Sequence, residues 1–265
     1  MNISLQPHIK CKKGDVARYV IVPGDPGRVR QIAKYWDEAR EVMFNREFLT
    51  YTGKYHGIPI SATSTGIGGP SASIAVEELA NIGAEVFIRV GTCGGTHIKV
   101  KPSDLIVPLA AMRCEGTSKE YLPIEFPAVS DPEVYFALMR AAKELKYKCH
   151  TGINRSHDTF YEHQDNLLKW ANFYRDKRMR KWDYPLVSSE MECAIVFLLP
   201  MLRGLKAGCV LVNVSPEPLS ELAKNPDLIY KIDEKNKKIG VDEAIKTALR
   251  AVEILEEKRR KKKKI

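Results

Sequence analysis

The residues best placed to do chemistry in this 265-residue chain sit where apolar runs break into glycine-rich turns. Glu85 to Gly95, EVFIRVGTCGG, reads as a short buried strand (Val86, Phe87, Ile88, Val90) that carries one arginine, Arg89, and ends in a turn holding Gly91, Thr92, Gly94 and Gly95. An arginine in an apolar strand needs a partner, and the glycines let backbone N–H groups and the Thr92 hydroxyl approach an anion, for which phosphate is the natural candidate. The same residues fit an ordinary strand and turn with Arg89 paired to an internal carboxylate, and on this stretch alone the two readings stand level. Pro23-Gly24-Asp25-Pro26-Gly27-Arg28 closes another apolar run, Tyr19 to Val22. There Gly24 can offer its backbone to a ligand, and Arg28 falls just inside a helix start, where the dipole and free N–H groups favour an anion; a plain turn uses the same residue types. Ser189-Glu190-Met191-Glu192-Cys193 leads into the apolar run Ala194 to Leu202. Read as a helix from Ser188, it points Glu190 and Glu192 to different sides, so at most one carboxylate faces a core pocket, where burial demands hydrogen bonds. Both also suit a helix N-terminus as acids. His157 and His163 lack a third ligand at a metal-binding spacing and read as loop residues, so no metal is expected.

The elements that must position these groups alternate. Tyr19 to Val22 is a strand and Val29 to Tyr35 a helix; Phe48 to Tyr55 and Ile58 to Thr65 form a hairpin about His56-Gly57. The glycine-rich turn Ser64 to Ser71 feeds a helix over 71–82, with Ala75, Leu79 and Ile82 on one face, which returns the chain to the Arg89 strand as a βαβ unit. A strand at Leu105 to Leu109, an irregular polar stretch from Arg113 to Phe126, a helix from Pro132 to Lys146 and a strand at Cys149 to Ile153 follow. A very basic stretch, Arg175 to Lys181, precedes the Ser188 helix; an inner strand, Gly208 to Val214, and a last helix, Val241 to Glu257, complete the chain. Strands alternating with helices predict a single α/β domain over residues 1–257, a mixed, mostly parallel central sheet flanked by helices, with the site at the strand ends.

Composition sets the bounds. A chain with 44% hydrophobic residues can bury one large core. Of the formal charge of +9, seven positives lie in Lys258 to Lys264, leaving the body near +2. That run predicts a solvated, disordered tail at 258–265 rather than a nucleic-acid contact. Six scattered cysteines without C-x-x-C pairs, a polar N-terminal stretch and no apolar run of membrane-spanning length predict a cytoplasmic protein without a membrane partner.

PGDPGR at 23–28, NREF at 45–48, STGIGGPS at 64–71, IRVGTCG at 88–94, SHDTFY at 156–161 and SEMEC at 189–193 stand in the order and spacing of the nucleoside phosphorylase family. The resemblance covers roughly residues 5–255, and LPIEFPAVSD at 122–131 with the intact GIGGPS resembles the branch that acts on uridine more than the purine branch. It implies the nucleoside phosphorylase-like fold and phosphorolysis of a nucleoside to free base and pentose 1-phosphate, a glycosyl transfer in nucleoside salvage. It matches Gly24, Arg28, Arg89 and Thr92 to the phosphate site and Arg46 to an arginine contributed by a neighbouring subunit. Met191 and Glu192 match ribose contacts, with Glu190 grouped beside them, and His8 matches the residue that reaches the 5′-hydroxyl across a dimer interface. Phe160, Cys93, Gly94, Gln164 and Asn166 fall at the base, and Arg89, Glu192 and Gln164 carry the catalytic roles. The partners implied are nucleoside, phosphate and a second copy in a homodimer with shared sites, as a trimer of dimers or homohexamer. No organic cofactor is implied; Glu47 and Ser71 match positions that hold a monovalent cation at the interface in some relatives.

The chain departs from the pattern at two points. Where uridine-cleaving relatives carry arginines at the base, it has Asn166 and Val214; where purine-cleaving relatives end the last inner strand with an acid that protonates the purine, it has Val214-Ser215-Pro216, with Glu217 the nearest acid. Purine release needs a proton donor, whereas uracil can be read by Gln164, Asn166 and water, so uridine is the expected substrate. A purine nucleoside phosphorylase acting on inosine, guanosine, adenosine or methylthioadenosine is the alternative. Retention of Arg28, Arg46 and Arg89 argues against a nucleosidase.

Overall fold

The structure, a computed structural model, describes residues 4–176, 181–182, 185–219 and 231–262, with the Gln164 side chain also outside it. Strand β1 (Tyr19–Ile21) is wholly buried, and Asp25 then caps α1 (Pro26–Ala33), its carboxylate accepting from the Gly27 N–H at 2.8 Å. Proline at the first helical position forfeits no hydrogen bond. β2 (Glu38–Asn45), β3 (Phe48–Tyr55) and β4 (Ile58–Thr63) form an antiparallel meander. The expected hairpin is β3–β4, its His56-Gly57 turn having positive φ at both positions, as a tight two-residue connection requires. The chain continues through α2 (Gly69–Asn81), β5 (Val86–Gly95), β6 (Leu105–Cys114), α3 (Thr117–Tyr121), β7 (Ala128–Val129), α4 (Pro132–Glu144) and β8 (Cys149–His157). It ends with α5 (Gln164–Arg175), β9 (Leu186–Glu190), α6 (Cys193–Leu202), β10 (Lys206–Asn213) and α7 (Glu234–Lys262).

The ten strands among the described residues belong to one mixed sheet. β5 pairs in parallel with β1 and β10, and β1 in parallel with β4; β6, β8 and β9 form a second parallel set. Antiparallel pairings of β10 with β6 and of β9 with the end of β5 join the two sets, so β5, β10, β6, β8 and β9 close into a ring. Two apolar layers cover the sheet. Val86, Ile88 and Val90 of β5 pack into the layer that contains residues of α1, α4 and α7, while Phe87 packs into the layer of α2 and α6. The period of two therefore puts Arg89 on the α6 side, the direction from which Glu190 and Glu192 arrive.

Several boundaries differ from those expected. β6 runs on to Cys114, so Arg113 is a strand residue rather than the start of irregular chain. Its guanidinium donates to the carbonyl oxygens of Ser118, Leu122, Pro123 and Phe126, which fixes the connection to β7. β8 runs to His157, and Leu186–Glu190 is strand, with α6 starting only at Cys193. Helix α7 extends beyond Glu257 through Lys262, so the tail expected to be disordered is helical as far as it is described. Acidic partners hold it: Lys258 and Lys262 reach Glu133 at 3.0 and 3.1 Å, and Arg259 and Arg260 bind Glu256. Part of the basic stretch expected after Arg175 lies outside the described residues.

Candidate active site

The carboxyl ends of β1, β4, β5, β9 and β10 converge on a cavity of about 800 Å³. Gly24, Arg28, Gly66, Arg89, Thr92, Cys93, Gly94 and the segment Ser189 to Glu192 line it. The turns after β1 and β4 are stitched together, since the Gly66 N–H donates to the Gly24 carbonyl oxygen at 3.0 Å. A Cβ on Gly24 would stand 3.0 Å from the Gly66 oxygen, and Gly66 and Gly68 have φ of 69° and 89°, so glycine is needed for this close approach.

Arg89 is the centre of the site. It is 4% exposed, and Gly91, next on the same strand face, makes room for it: a Cβ there would lie 2.9 Å from Arg89 Nη2. Nε donates to Glu190 Oε2 at 3.3 Å, Nη2 donates to Glu192 Oε2, and Nη1 is buried without a hydrogen-bond partner. Both carboxylates therefore face Arg89, correcting the expectation that only one could face inward. That expectation assumed a helix; in fact Glu190 ends a strand and Glu192 follows a turn.

The two acids are used differently. Glu190 accepts from Asn154 Nδ2 and Ser156 Oγ, both at 2.7 Å, from the Glu192 N–H at 2.8 Å and from the Cys193 N–H at 2.9 Å, as well as from Arg89. Burial opposes its charge, but Arg89 and these donors hold its pKa below the usual range. Its lone pairs are spent on orienting Arg89 and starting α6. Glu192 accepts from the Gly68 N–H at 2.6 Å through Oε1, and burial raises its pKa, with Arg89 opposing and Glu190 adding to the rise. Arg28 enters from α1, where Nη1 donates to the Val90 carbonyl oxygen at 3.1 Å. Burial and then the Arg89 charge push its pKa down to about 10. Two buried guanidiniums that repel one another are what an anion between them would relieve.

The structure gathers most of the expected site residues. Gly24, Arg28, Arg89, Thr92, Cys93, Gly94, Phe160, Glu190, Met191 and Glu192 all line the cavity. Cys93 is packed away, its thiol 3.4 Å from the Val212 carbonyl oxygen and its pKa raised by burial. Other expected residues lie elsewhere. Asn166 is not in the lining and donates to Glu162 Oε1 at 3.0 Å. Arg46 is exposed in the β2–β3 turn at φ 54°, and His8 is bound through Nδ1 to Glu78 Oε1 at 2.6 Å; neither lines this chain's cavity. The Gln164 side chain is outside the described residues. Glu47 accepts from the Ser71 hydroxyl at 2.7 Å. Among the described residues no group of three or more His, Cys, Asp or Glu side chains could hold a metal, and no helix is long and apolar enough to cross a membrane.

One wall of the cavity touches the motifs only at His157, which reads there as a loop residue and lies instead at the end of β8. Arg155, His157, Glu162, Leu167, Leu168, Trp170, Ala171 and Tyr174 supply it from β8 and α5. The Arg155 guanidinium lies 4.0 Å over the Trp170 ring and donates to Glu162, and Trp170 stacks on Tyr174 at 5.9 Å. Burial first, then Arg155, lowers the pKa of His157, which favours the neutral ring. Burial raises Tyr174 to about 12. The available signal was the stripe Leu167, Trp170, Ala171, Tyr174 at i, i+3, i+4, i+7, which marks a helix face.

A deep strand-end cavity with paired buried arginines, two facing carboxylates and an aromatic wall defines an enzyme-type anion and small-molecule site. Residues 18–248 match the sequence profile of the phosphorylase superfamily, and the chain belongs to that family. It is 46% identical over 260 residues to the uridine phosphorylase of Thermococcus kodakarensis, covering 96% of this chain and 87% of that one. It is 38% identical over 250 residues to the guanosine phosphorylase of Halorubrum lacusprofundi, covering 94% and 99%. The crystal structure of purine nucleoside phosphorylase from Toxoplasma gondii in complex with immucillin-H superposes with a TM-score of 0.84 at 34% identity, covering 94% of this chain and 95% of that one.

Proposed function

We propose that this protein is a pentosyltransferase that cleaves a nucleoside by phosphorolysis, with uridine as the preferred substrate. The observation that carries the reading is Arg89: buried, fixed by Glu190 and Glu192, and left with an unpartnered Nη1 beside a second buried arginine, Arg28. Phosphate would lie against Arg28, Arg89, Thr92 and the Gly24 backbone, with Glu192 and Met191 at the ribose and Phe160, Cys93, Gly94 and Gln164 at the base. As the glycosidic bond breaks, its electron pair leaves with the base. The oxocarbenium-like sugar is stabilised by phosphate and then captured by a phosphate oxygen. The protein supplies orientation and fixed charge, and phosphate is the only co-substrate the chemistry asks for.

The four charges at the centre, Arg28 and Arg89 against Glu190 and Glu192, cancel. A dianionic phosphate is better held with a further cation, which supports the reading that Arg46 and His8 serve a neighbouring subunit's site in a homodimer. Mixing Arg46→Met chains with Arg89→Lys chains, each of much reduced activity alone, should then restore about a quarter of the sites on subunit exchange; no recovery would argue for self-contained sites. Assembly as a trimer of dimers and a monovalent cation between Glu47 and Ser71 follow from the family resemblance alone, as does a cytoplasmic setting.

Uridine is favoured over purines by the β10 end of the cavity. Val214 and Ser215 line it there, while Glu217 is exposed and outside the lining, so among the described residues of that segment no acid is placed to protonate a purine. The higher identity to a uridine phosphorylase points the same way. The purine alternative draws on the guanosine and purine relatives. Steady-state kcat/KM for uridine, inosine, guanosine and adenosine decides: uridine is expected to lead, and a purine nucleoside well ahead of it would overturn the substrate assignment.

A further inference from the structure

The wall formed by β8 and α5 carries buried polar atoms that the mechanism above does not use. Arg155 Nε and the Tyr174 and Ser189 hydroxyls make no hydrogen bond of acceptable geometry, and His157 Nδ1 has Glu162 Oε1 at 3.5 Å as an ion-pair contact only; all four residues line the cavity. Arg155 is 4% exposed and held from two sides, by Trp170 beneath its guanidinium at 4.0 Å and by Glu162, which accepts from Nη2 and, at 3.4 Å, from Nη1. That grip occupies the fork and leaves the Nε–H as the spare donor. Buried donors without partners carry an unfavourable desolvation cost unless a ligand completes them. Phe160, expected at the base, lines the same cavity and comes from the segment that joins β8 to α5.

We propose that Arg155 is the specificity-determining residue at the base end, donating through Nε–H to a ring carbonyl of the leaving base. It would thereby supply from β8 the guanidinium that uridine-cleaving relatives place at the positions of Asn166 and Val214. The inference deepens the proposed function and rests on it. When the glycosidic electron pair departs with uracil, the charge spreads onto the two ring carbonyl oxygens. Phosphate contributes the electron pair of the new carbon–oxygen bond, and the uracil anion takes a proton from water on release. A fixed donor at a carbonyl stabilises that anion and requires no acid. Tyr174 and Ser189 stand beside Arg155 as further donors, so the wall favours oxo-bases over adenine, which has no ring carbonyl.

The test compares uridine with 5-fluorouridine, whose departing anion is intrinsically more stable, in two variants. Arg155→Lys keeps a charge beside Glu162 and Trp170 but not the Nε–H; Arg155→Met with Glu162→Gln removes both members of the buried pair together, so neither is stranded. Each variant is expected to lose about 100-fold in kcat for uridine and only about tenfold for 5-fluorouridine, with phosphate KM little changed. Equal losses for the two substrates, or no loss in either variant, would overturn the role of Arg155. Wild-type turnover of uridine reports separately on the function beneath the proposal. Should the wild type cleave purine nucleosides instead, the inosine-to-adenosine ratio tests the same role: it falls in Arg155→Lys if Arg155 reads a carbonyl and stays constant if it does not.

Discussion

Arg89 has two jobs that pull against each other in any mutational test. It is the buried cation that neutralises Glu190 and Glu192, and its remaining Nη1 is the unpartnered donor that the proposed function assigns to phosphate. Truncation to alanine would strand two buried carboxylates and cost about 3–5 kcal/mol of stability, so lost activity would not separate chemistry from folding. Arg89→Lys keeps the charge and gives up the planar fork. It is expected to lower kcat/KM for phosphate roughly 30- to 1000-fold, about 2–4 kcal/mol, while thermal unfolding still shows a cooperative transition. Turnover close to wild type in that variant would detach Arg89 from the reacting phosphate. The sequence already showed that an arginine in an apolar strand needs a partner. It did not show which carboxylate, because two residues of spacing mean opposite faces on a helix but a common target when a strand end and a turn separate them.

At the scale of elements, strands with apolar runs and glycine turns were legible, and most of the cavity lining around Gly24, Arg28, Arg89 and Glu192 came with them. β8 was cut short because Asn154 to His157 is polar, although its period of two sends Asn154 and Ser156 to Glu190 and leaves Arg155 and His157 for the cavity wall. Tertiary pairing with β6 and β9 overrides the weak strand propensity there. Helix α5 was missed because its apolar stripe packs on the cavity rather than on the main core. β9 and α6 depend on one side chain, since Glu190 accepts from the backbone N–H groups of Glu192 and Cys193 where the helix begins. Glu190→Gln is expected to cost about 2–4 kcal/mol in urea unfolding at neutral pH. Burial opposes the Glu190 charge, yet Arg89 and the donors hold its pKa below the ordinary 4.5, so the wild-type advantage is full above that pH and shrinks as pH falls through the lower folded value. A gap between wild type and Glu190→Gln that stays constant in acid would contradict the assigned ion pair.

For the molecule as a whole, closure of five strands into a ring brings β9 against the end of β5 and so delivers Glu190 to Arg89, 101 positions earlier in the chain. No local pattern encodes that ring, which is why the fold class was readable and the closure was not. The basic C-terminal run shows a similar limit: composition alone suggests a solvated tail, while Glu133 and Glu256 turn its first residues into the last turn of α7. Lys206, Lys258 and Lys262 lower the Glu133 pKa from 4.5 to about 2. A depressed carboxylate stabilises the fold above its unfolded value and loses that contribution as pH falls, here between 4.5 and about 2. Glu133→Gln should therefore flatten the pH dependence of stability across that window while leaving neutral-pH turnover unchanged; an unaltered acid profile would show that the cluster does not hold the helix end.

The central claim is that phosphate, and not water, receives the pentose. Phosphorus-31 NMR of a reaction containing uridine and inorganic phosphate measures it directly. Phosphorolysis requires one pentose 1-phosphate to appear for each uracil released, with no turnover when phosphate is withheld. Uracil formed at the same rate without phosphate, together with free ribose, would contradict it.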